Sequence, residues 1–234
     1  MKKFFIIFLL LLSCTNPEIG KNKFNYYLKD ANSYFENGNY FESLKYYKIC
    51  LKYHKPKDGN FYYKLAFSYD KGEKNYKKAK KYYLKALKYL NTQRDLKKIA
   101  ACYFNLGVIA LKESKIDEKE NYFASAYSLL KKIEEMDKAD GLDYFRLGYY
   151  FLDKKEFDTA IYYFEKSIEK LEKESPKHFY HSGAYFNIGK IYWDNQNYKD
   201  ASIYWKKALE LEPTNSYFRE WYENSLKYLE HKSF

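Results

Sequence analysis

Residues that interrupt helices or build redox and zinc sites are scarce in this 234-residue chain. It has four prolines, and from residue 24 onward only Pro56, Pro176 and Pro213 remain, all between stretches of helical periodicity. Beyond position 14 the only cysteines are Cys50 and Cys102, whose spacing fits neither a zinc site nor a CxxC redox pair. We expect buried, inert thiols, with a disulfide between them as the alternative. No stretch alternates apolar and polar residues long enough for a strand, so the chain is predicted to be all-α.

Catalytic motifs are also absent from the sequence. It contains no phosphate-binding glycine loop, no G-x-S-x-G and no H-E-x-x-H. Only one pair of histidines has helical spacing, in a segment where exposed polar residues are expected; the four histidines are His54, His178, His181 and His231. We therefore predict no enzyme, no metal, no cofactor and no small-molecule substrate.

Arginine is rare although the chain is basic. Only three of the 42 basic residues are arginine, the side chain best suited to reading bases and phosphates, so we expect no nucleic-acid partner. The net charge of +11 is uneven: residues 21–100 hold 20 basic and 7 acidic residues, whereas residues 101–234 hold 20 and 23. One hypothesis is that the basic half binds a membrane surface or an acidic polymer, with the rest as a spacer. The alternative is a compositional bias in which lysines only solubilise helices.

The N-terminus has the pattern of an export signal. Lys2 and Lys3 precede an apolar run, residues 4–12, that is too short to span a bilayer. The following Leu-Leu-Ser-Cys, ending at Cys14, resembles the lipobox of bacterial lipoproteins. That resemblance implies cleavage before Cys14, acylation of this residue and a cell-envelope location on the periplasmic or surface face of a membrane. We predict a signal peptide over 1–13 and a lipidated tether over 14–23; the alternative is a free cysteine at an ordinary cleavage site.

A motif of the form Tyr-Phe-x-Leu/Ile-Gly recurs every 41 residues. It occupies residues 103–107, 144–148 and 185–189, and a softer copy occupies 62–66. A fixed interval of this size is typical of stacked supersecondary units and favours a binding surface over an active site.

The residues around each motif resemble the tetratricopeptide repeat. The last unit shows the diagnostic spacing of aromatic and small residues: Tyr185, Ile188, Gly189, Tyr192, Tyr198, Ala201, Trp205, Ala208 and Pro213. The resemblance implies a right-handed superhelical solenoid of five helix-turn-helix units, at about 24–57, 59–92, 100–134, 141–174 and 182–213. A capping helix is predicted over 214–231. We expect the glycines to allow close helix approach and the repeated tyrosines to pack in the core.

The same resemblance assigns certain first-helix positions to a concave groove that binds a partner protein or an apolar peptide. We expect another envelope protein as the partner, within an assembly or secretion complex of the outer membrane. The chain lacks the lysine and asparagine pattern of the carboxylate clamp. The alternative is that longer helices turn the groove aromatics into the core. The candidate groove residues are Tyr63, Phe67, Phe104, Asn105, Val108, Phe145, Arg146, Tyr149, Phe186, Asn187 and Trp193.

Overall fold

The computed structural model describes residues 17–174 and 179–231. The described residues form eleven α-helices and no strand. The helices are α1 (Pro17–Glu36), α2 (Tyr40–Tyr53), α3 (Gly59–Lys71), α4 (Tyr76–Tyr89), α5 (Leu96–Lys112), α6 (Ile116–Glu135), α7 (Gly141–Asp153), α8 (Phe157–Glu174), α9 (Phe179–Asp194), α10 (Tyr198–Leu211) and α11 (Ser216–His231).

The helices follow one another as five pairs and a final unpaired helix. This order confirms the all-α prediction. The chain divides into two compact units: unit 1 ends at Tyr122, within α6, and unit 2 begins at Phe123.

The predicted signal peptide and Cys14 lie outside the described residues. The predicted tether over 14–23 is wrong in its second part, because α1 begins at Pro17. Proline suits the first turn of a helix, and Glu18 beside it favours the positive end of the helix dipole.

The turn inside each pair has the same backbone form. A residue with positive φ precedes the second helix, and only Gly38 among these residues is a glycine; the others are Lys74, Ser114, Lys155 and Gln196. In three of the turns an asparagine follows, and its side chain accepts a hydrogen bond from the first turn of the helix; these caps are Asn39, Asn75 and Asn197. The caps fix where α2, α4 and α10 begin.

In unit 2, a glycine of the first helix lies against a large ring of the second helix. A β-carbon on Gly148 would lie 2.7 Å from the ring of Phe164, and one on Gly189 would lie 2.6 Å from the indole of Trp205. Trp205 is fully buried, and its indole N–H donates to the Phe186 carbonyl at 3.1 Å. The ring is therefore held in place, and only glycine fits opposite it, as the sequence predicted.

We predict that Gly189→Ala lowers the free energy of unfolding of unit 2 by about 1–2 kcal/mol, because overpacking outweighs the better helix propensity of alanine. Gly183→Ala on the same helix is the matched control, since its β-carbon would lie 3.4 Å from Phe145 at ordinary contact distance. This control should be neutral or stabilising by up to about 1 kcal/mol. Urea unfolding followed by tryptophan fluorescence reports on unit 2, which holds all three tryptophans. Equal effects of the two variants would contradict the close-packing account.

Stacked aromatic rings join the two helices of a pair. In unit 1, the ring of Tyr82 in α4 stacks on Tyr62 and Tyr69 of α3, with centroid distances of 6.1 and 5.5 Å. In unit 2, Tyr163 takes the same place between Tyr144 and Phe151, at 6.3 and 5.4 Å. Tyr204 of α10 stacks on Tyr192 of α9 and lies 6.2 Å from Tyr185, with the two rings tilted by 40°. We call each such set a ring triad, and it accounts for the repeated tyrosines as packing residues.

The ring triads predict a loss of stability at alkaline pH. Burial raises the pKa of Tyr69 to about 12, helped by the neighbouring Tyr82 and Glu73. An unfolded tyrosine ionises near pH 10, so the unfolded state loses its proton first. This contribution to stability is therefore complete below about pH 10 and is lost as the pH rises towards 12.

We expect Tyr69→Phe to reduce the slope of unfolding free energy against pH above about pH 10, as measured by urea unfolding with circular dichroism. Tyr26→Phe, which removes a hydroxyl from a side chain that is 69% exposed, is the control. An unchanged slope in Tyr69→Phe would show that this hydroxyl does not govern the alkaline transition.

Candidate peptide-binding surface

Six of the eleven predicted groove residues are buried. Their side chains cannot line an open groove, so this part of the prediction is wrong; the six are Phe67, Phe104, Asn105, Phe145, Arg146 and Phe186. The other five, Tyr63, Val108, Tyr149, Asn187 and Trp193, are partly exposed. The candidate surface is therefore narrower and less aromatic than expected.

The aromatic residues of unit 2 are buried because they fill the space between successive first helices. The ring of Phe145 lies 5.5 Å from Phe164 in α8 and 4.5 Å from Tyr180 in α9. The ring of Phe186 lies 5.0 Å from Phe218 in α11. Each phenylalanine thus contacts the helix that follows its own pair. The core interpretation of these residues is the correct one in unit 2.

Arg146 stabilises the start of its own helix. Its Nη1 donates to Asp143 Oδ1 at 3.0 Å, and both side chains are buried. Asp143 also forms a capping box with Asp140 at the start of α7. A buried charge requires such a partner, so Arg146 has a local structural role.

In unit 1, the predicted groove positions on α3 are largely occupied by contacts with α1 and α2. Phe67 packs on Phe35 at 5.7 Å and on Tyr40 at 5.1 Å. The neighbouring Lys64 donates to Asn32 Oδ1 at 3.2 Å and to Glu36 Oε1 at 2.6 Å. Tyr63 stays half-buried beside this network. Val108 on α5 is also half-buried.

The final helix covers part of the predicted groove in unit 2. The indole of Trp193 lies 6.3 Å from Trp221 and 5.5 Å from Tyr228, both in α11. Trp193 is therefore a packing residue for the cap as well as a partly exposed side chain. The sequence predicted a cap at this position but not which groove residues it would contact.

Two rows of partly exposed side chains remain on α7 and α9. Tyr149 and Leu152 lie one turn apart on α7, and Asn187 and Lys190 lie one turn apart on α9. Tyr149 and Lys190 occupy equivalent positions, 41 residues apart, and the two helices are in contact. We call these four residues the α7–α9 face. It combines an aromatic ring, an aliphatic side chain, an amide and a cation, with Lys190 Nζ 3.6 Å from Asp194 Oδ2.

An open cleft of about 730 Å³ lies between α10 and α11. This cleft was not predicted from the sequence. The apolar side chain of Leu226 on α11 is 38% exposed there. The lining of the cleft is mixed: Lys206, Leu209, Glu210, Pro213, Arg219, Tyr222, Glu223 and Leu226. The cleft lies where α11 packs on α10, at the end of the described helices.

Reactive groups on the described residues are few. No three histidine, cysteine or acidic side chains gather there in a way that could hold a metal ion. Cys50 and Cys102 are free and buried, and burial raises the pKa of the Cys50 thiol to about 11, which keeps it protonated. His181 is buried with its Nε2 3.8 Å from Glu172 Oε1. None of the described helices has the length and apolar character needed to span a membrane.

We predict that Phe186→Ala destabilises unit 2 strongly and that Asn187→Ala hardly changes its stability. Removing the buried ring should lower the free energy of unfolding of unit 2 by about 3 kcal/mol or more. Removing the neighbouring half-exposed amide should change it by less than about 0.5 kcal/mol. Urea unfolding by tryptophan fluorescence measures both. A stable Phe186→Ala variant would restore this residue as a candidate for partner contact.

Comparison with known proteins gives the same class of fold. Two families, each described as tetratricopeptide repeat, match the chain, one at residues 182–215 and the other at residues 59–89 and 144–169. No curated protein matches the chain by sequence.

Several solved structures are similar to the chain. A chain of the Cut9–Hcn1 hetero-tetramer of the APC/C has a TM-score of 0.68 at 20% identity, over 97% of this chain but only 39% of that one. A tetratricopeptide-repeat protein of Thermus thermophilus has a TM-score of 0.62 at 17% identity, covering 87% of this chain and 98% of that one. Pseudomonas aeruginosa pilF has a TM-score of 0.54 at 18% identity, covering 92% and 87%.

These structures support the predicted solenoid class, and the matched segments lie on the α3–α4, α7–α8 and α9–α10 pairs. The segments at residues 59–89, 144–169 and 182–215 are therefore identified as tetratricopeptide repeats.

Proposed function

We propose that this chain is a noncatalytic scaffold, anchored to an envelope membrane through Cys14, that binds a partner protein on the α7–α9 face. The observation that supports partner binding most directly is the fold, because tetratricopeptide-repeat domains typically bind proteins or peptides. The Cut9–Hcn1 protein with a similar fold is itself part of a hetero-tetramer. The partner we propose is another protein of the same envelope.

The chemistry of the α7–α9 face fits an apolar peptide segment whose backbone N–H and C=O groups are available for hydrogen bonds. The ring of Tyr149 and the side chain of Leu152 offer apolar contact, and an aromatic anchor of this kind often dominates peptide affinity. The amide of Asn187 can donate to and accept from a peptide backbone. Lys190 is partly exposed and pairs with Asp194, a pairing of low energy at a surface.

Membrane anchoring rests on the sequence before the first helix. The lipobox-like segment ends at Cys14, and several acyl chains on one residue hold a protein stably to a bilayer, whereas one chain holds it only marginally. Labelling of cells with radioactive palmitate should mark the full chain but not its Cys14→Ser variant. An unlabelled chain would remove the anchor from the proposal and leave partner binding to be tested separately.

Partner binding is tested by site-specific photocrosslinking in intact cells. A photoreactive residue in place of Asn187 should form one dominant adduct, whereas the same residue in place of exposed Lys227 on α11 should not. We expect the double substitution Tyr149→Ala and Leu152→Ala to reduce this adduct at least about 10-fold, because both apolar contacts are lost.

The helical signal of the double variant should stay unchanged, since both side chains are only half-buried. Equal adduct yield from the folded double variant would show that the α7–α9 face is not where the partner binds.

A further inference from the structure

One edge of unit 1 brings together the starts of its first helices and the ends of its second helices. A β-carbon on Gly20 would lie 3.2 Å from the carbonyl oxygen of Tyr53, so α1 begins where α2 ends. The ring of Phe24 lies 5.4 Å from His54 and 5.5 Å from Phe61, which places the start of α3 beside them. Gly59, at the start of α3, lies against Leu90, just after the end of α4. We call this the anchor-side edge.

The anchor-side edge is rich in exposed lysine. Six lysines from α1, from the end of α2 with the loop behind it, and from the end of α4 are exposed there: Lys21, Lys23, Lys52, Lys55, Lys57 and Lys88. One carboxylate on this edge, Glu18 at the start of α1, is also exposed. Two other carboxylates there accept hydrogen bonds from backbone N–H groups. Asp58 accepts from Asn60 at 2.8 Å, and Asp95 accepts from Asn91 at 3.0 Å.

Apolar side chains lie among these lysines. Ile19 on α1 and Tyr53 on α2 are each 38% exposed, and Lys23 Nζ lies 5.4 Å from the Tyr53 ring. Lysine combined with exposed tyrosine and an aliphatic residue suits an interface between water and lipid headgroups.

Several lysines elsewhere in unit 1 are paired, although others there, such as Lys74, Lys77 and Lys81, are exposed. At the opposite helix ends, lysines form ion pairs with acidic residues; these pairs are Lys64–Glu36, Lys48–Glu73, Lys45–Glu42 and Lys115–Glu113. By contrast, none of the six lysines of the anchor-side edge forms an ion pair with a carboxylate in the part of the chain that the structure describes. The anchor-side edge thus gathers six exposed lysines that have no carboxylate partner among the described residues.

The covalent chain brings this edge close to the proposed anchor. Cys14 and Pro17, the first residue of α1, are separated by three Cα–Cα steps, which span at most about 11 Å. An acylated Cys14 would therefore hold the start of α1, and with it the anchor-side edge, within about one Debye length of the lipid headgroups. This step rests on the proposed anchoring.

We propose that the anchor-side edge binds an anionic lipid surface, so that the helices of unit 1 stand end-on to the membrane. The lysines attract acidic headgroups, and Ile19 and Tyr53 enter the interface. Each lysine near such a surface strengthens binding about fivefold, so six of them give measurable binding without the acyl chains. We favour the lipid surface over a soluble acidic polymer because the proposed anchor at Cys14 is only three residues from the start of α1 at this edge.

The test uses unlipidated protein, residues 15–234, which contains every described helix. Its partition is measured by flotation with vesicles of phosphatidylglycerol and phosphatidylcholine in equal parts and with vesicles of phosphatidylcholine alone. We expect binding only to the first, weakening as salt rises. The substitutions Lys52→Gln, Lys55→Gln and Lys57→Gln together should weaken it about 100-fold.

The matched control removes three lysines outside this edge, by Lys74→Gln, Lys77→Gln and Lys81→Gln, and should weaken binding less than about fivefold. Equal losses in the two triple variants would overturn the proposal, as would absence of binding to the acidic vesicles. Equally tight binding to soluble polyglutamate would assign the edge to an acidic polymer and also overturn it. Palmitate labelling of Cys14 is measured independently, so a failure of the anchor and a failure of this inference are distinguishable.

Discussion

The contact between a glycine and a large ring is the constraint on which unit 2 depends. Because Gly189 has no β-carbon, α9 approaches α10 until its backbone touches the indole of Trp205, and Gly148 allows the same against Phe164. At this separation the ring of Tyr192 stacks on Tyr204, and the ring of Tyr185 contacts Tyr204 at a tilt. Phe186 then reaches the following helix, where Phe218 completes its packing. The aromatic content of the chain is thus used mainly to join helices.

The helices were predictable from sequence, whereas the exposure of the groove positions was not. Helical periodicity and the 41-residue interval depend on residues close together along the chain. The burial of Phe145 depends on Tyr180, which belongs to the next pair and which no local pattern connects to it. Tyr82, Tyr163 and Tyr204 were missed as packing partners although they recur at nearly the repeat interval. A search for second-helix aromatics at that interval would have found them.

The number of charges could be read from the sequence, but their location could not. Counting residues established that the first half of the chain is basic. Only the antiparallel order of the helices shows that Lys23, Lys52 and Lys57 share an edge, since they are separated along the chain. The fold also shows which carboxylates are already occupied, because Asp58 caps α3. Once the direction of each helix is known, the counted lysines can therefore be assigned to a particular surface.

The small area of the α7–α9 face has a consequence for how such a scaffold works. Four half-exposed side chains offer fewer contacts than the aromatic groove that the repeats implied, so affinity in free solution should be modest. The proposed attachment to a membrane would change this, because a scaffold and a partner on the same surface meet at a high effective concentration. A second contact with the lipid surface would further restrict the orientations of unit 1 and lower the entropy lost on binding. In this proposal, weak local recognition and membrane attachment are therefore complementary parts of one mechanism.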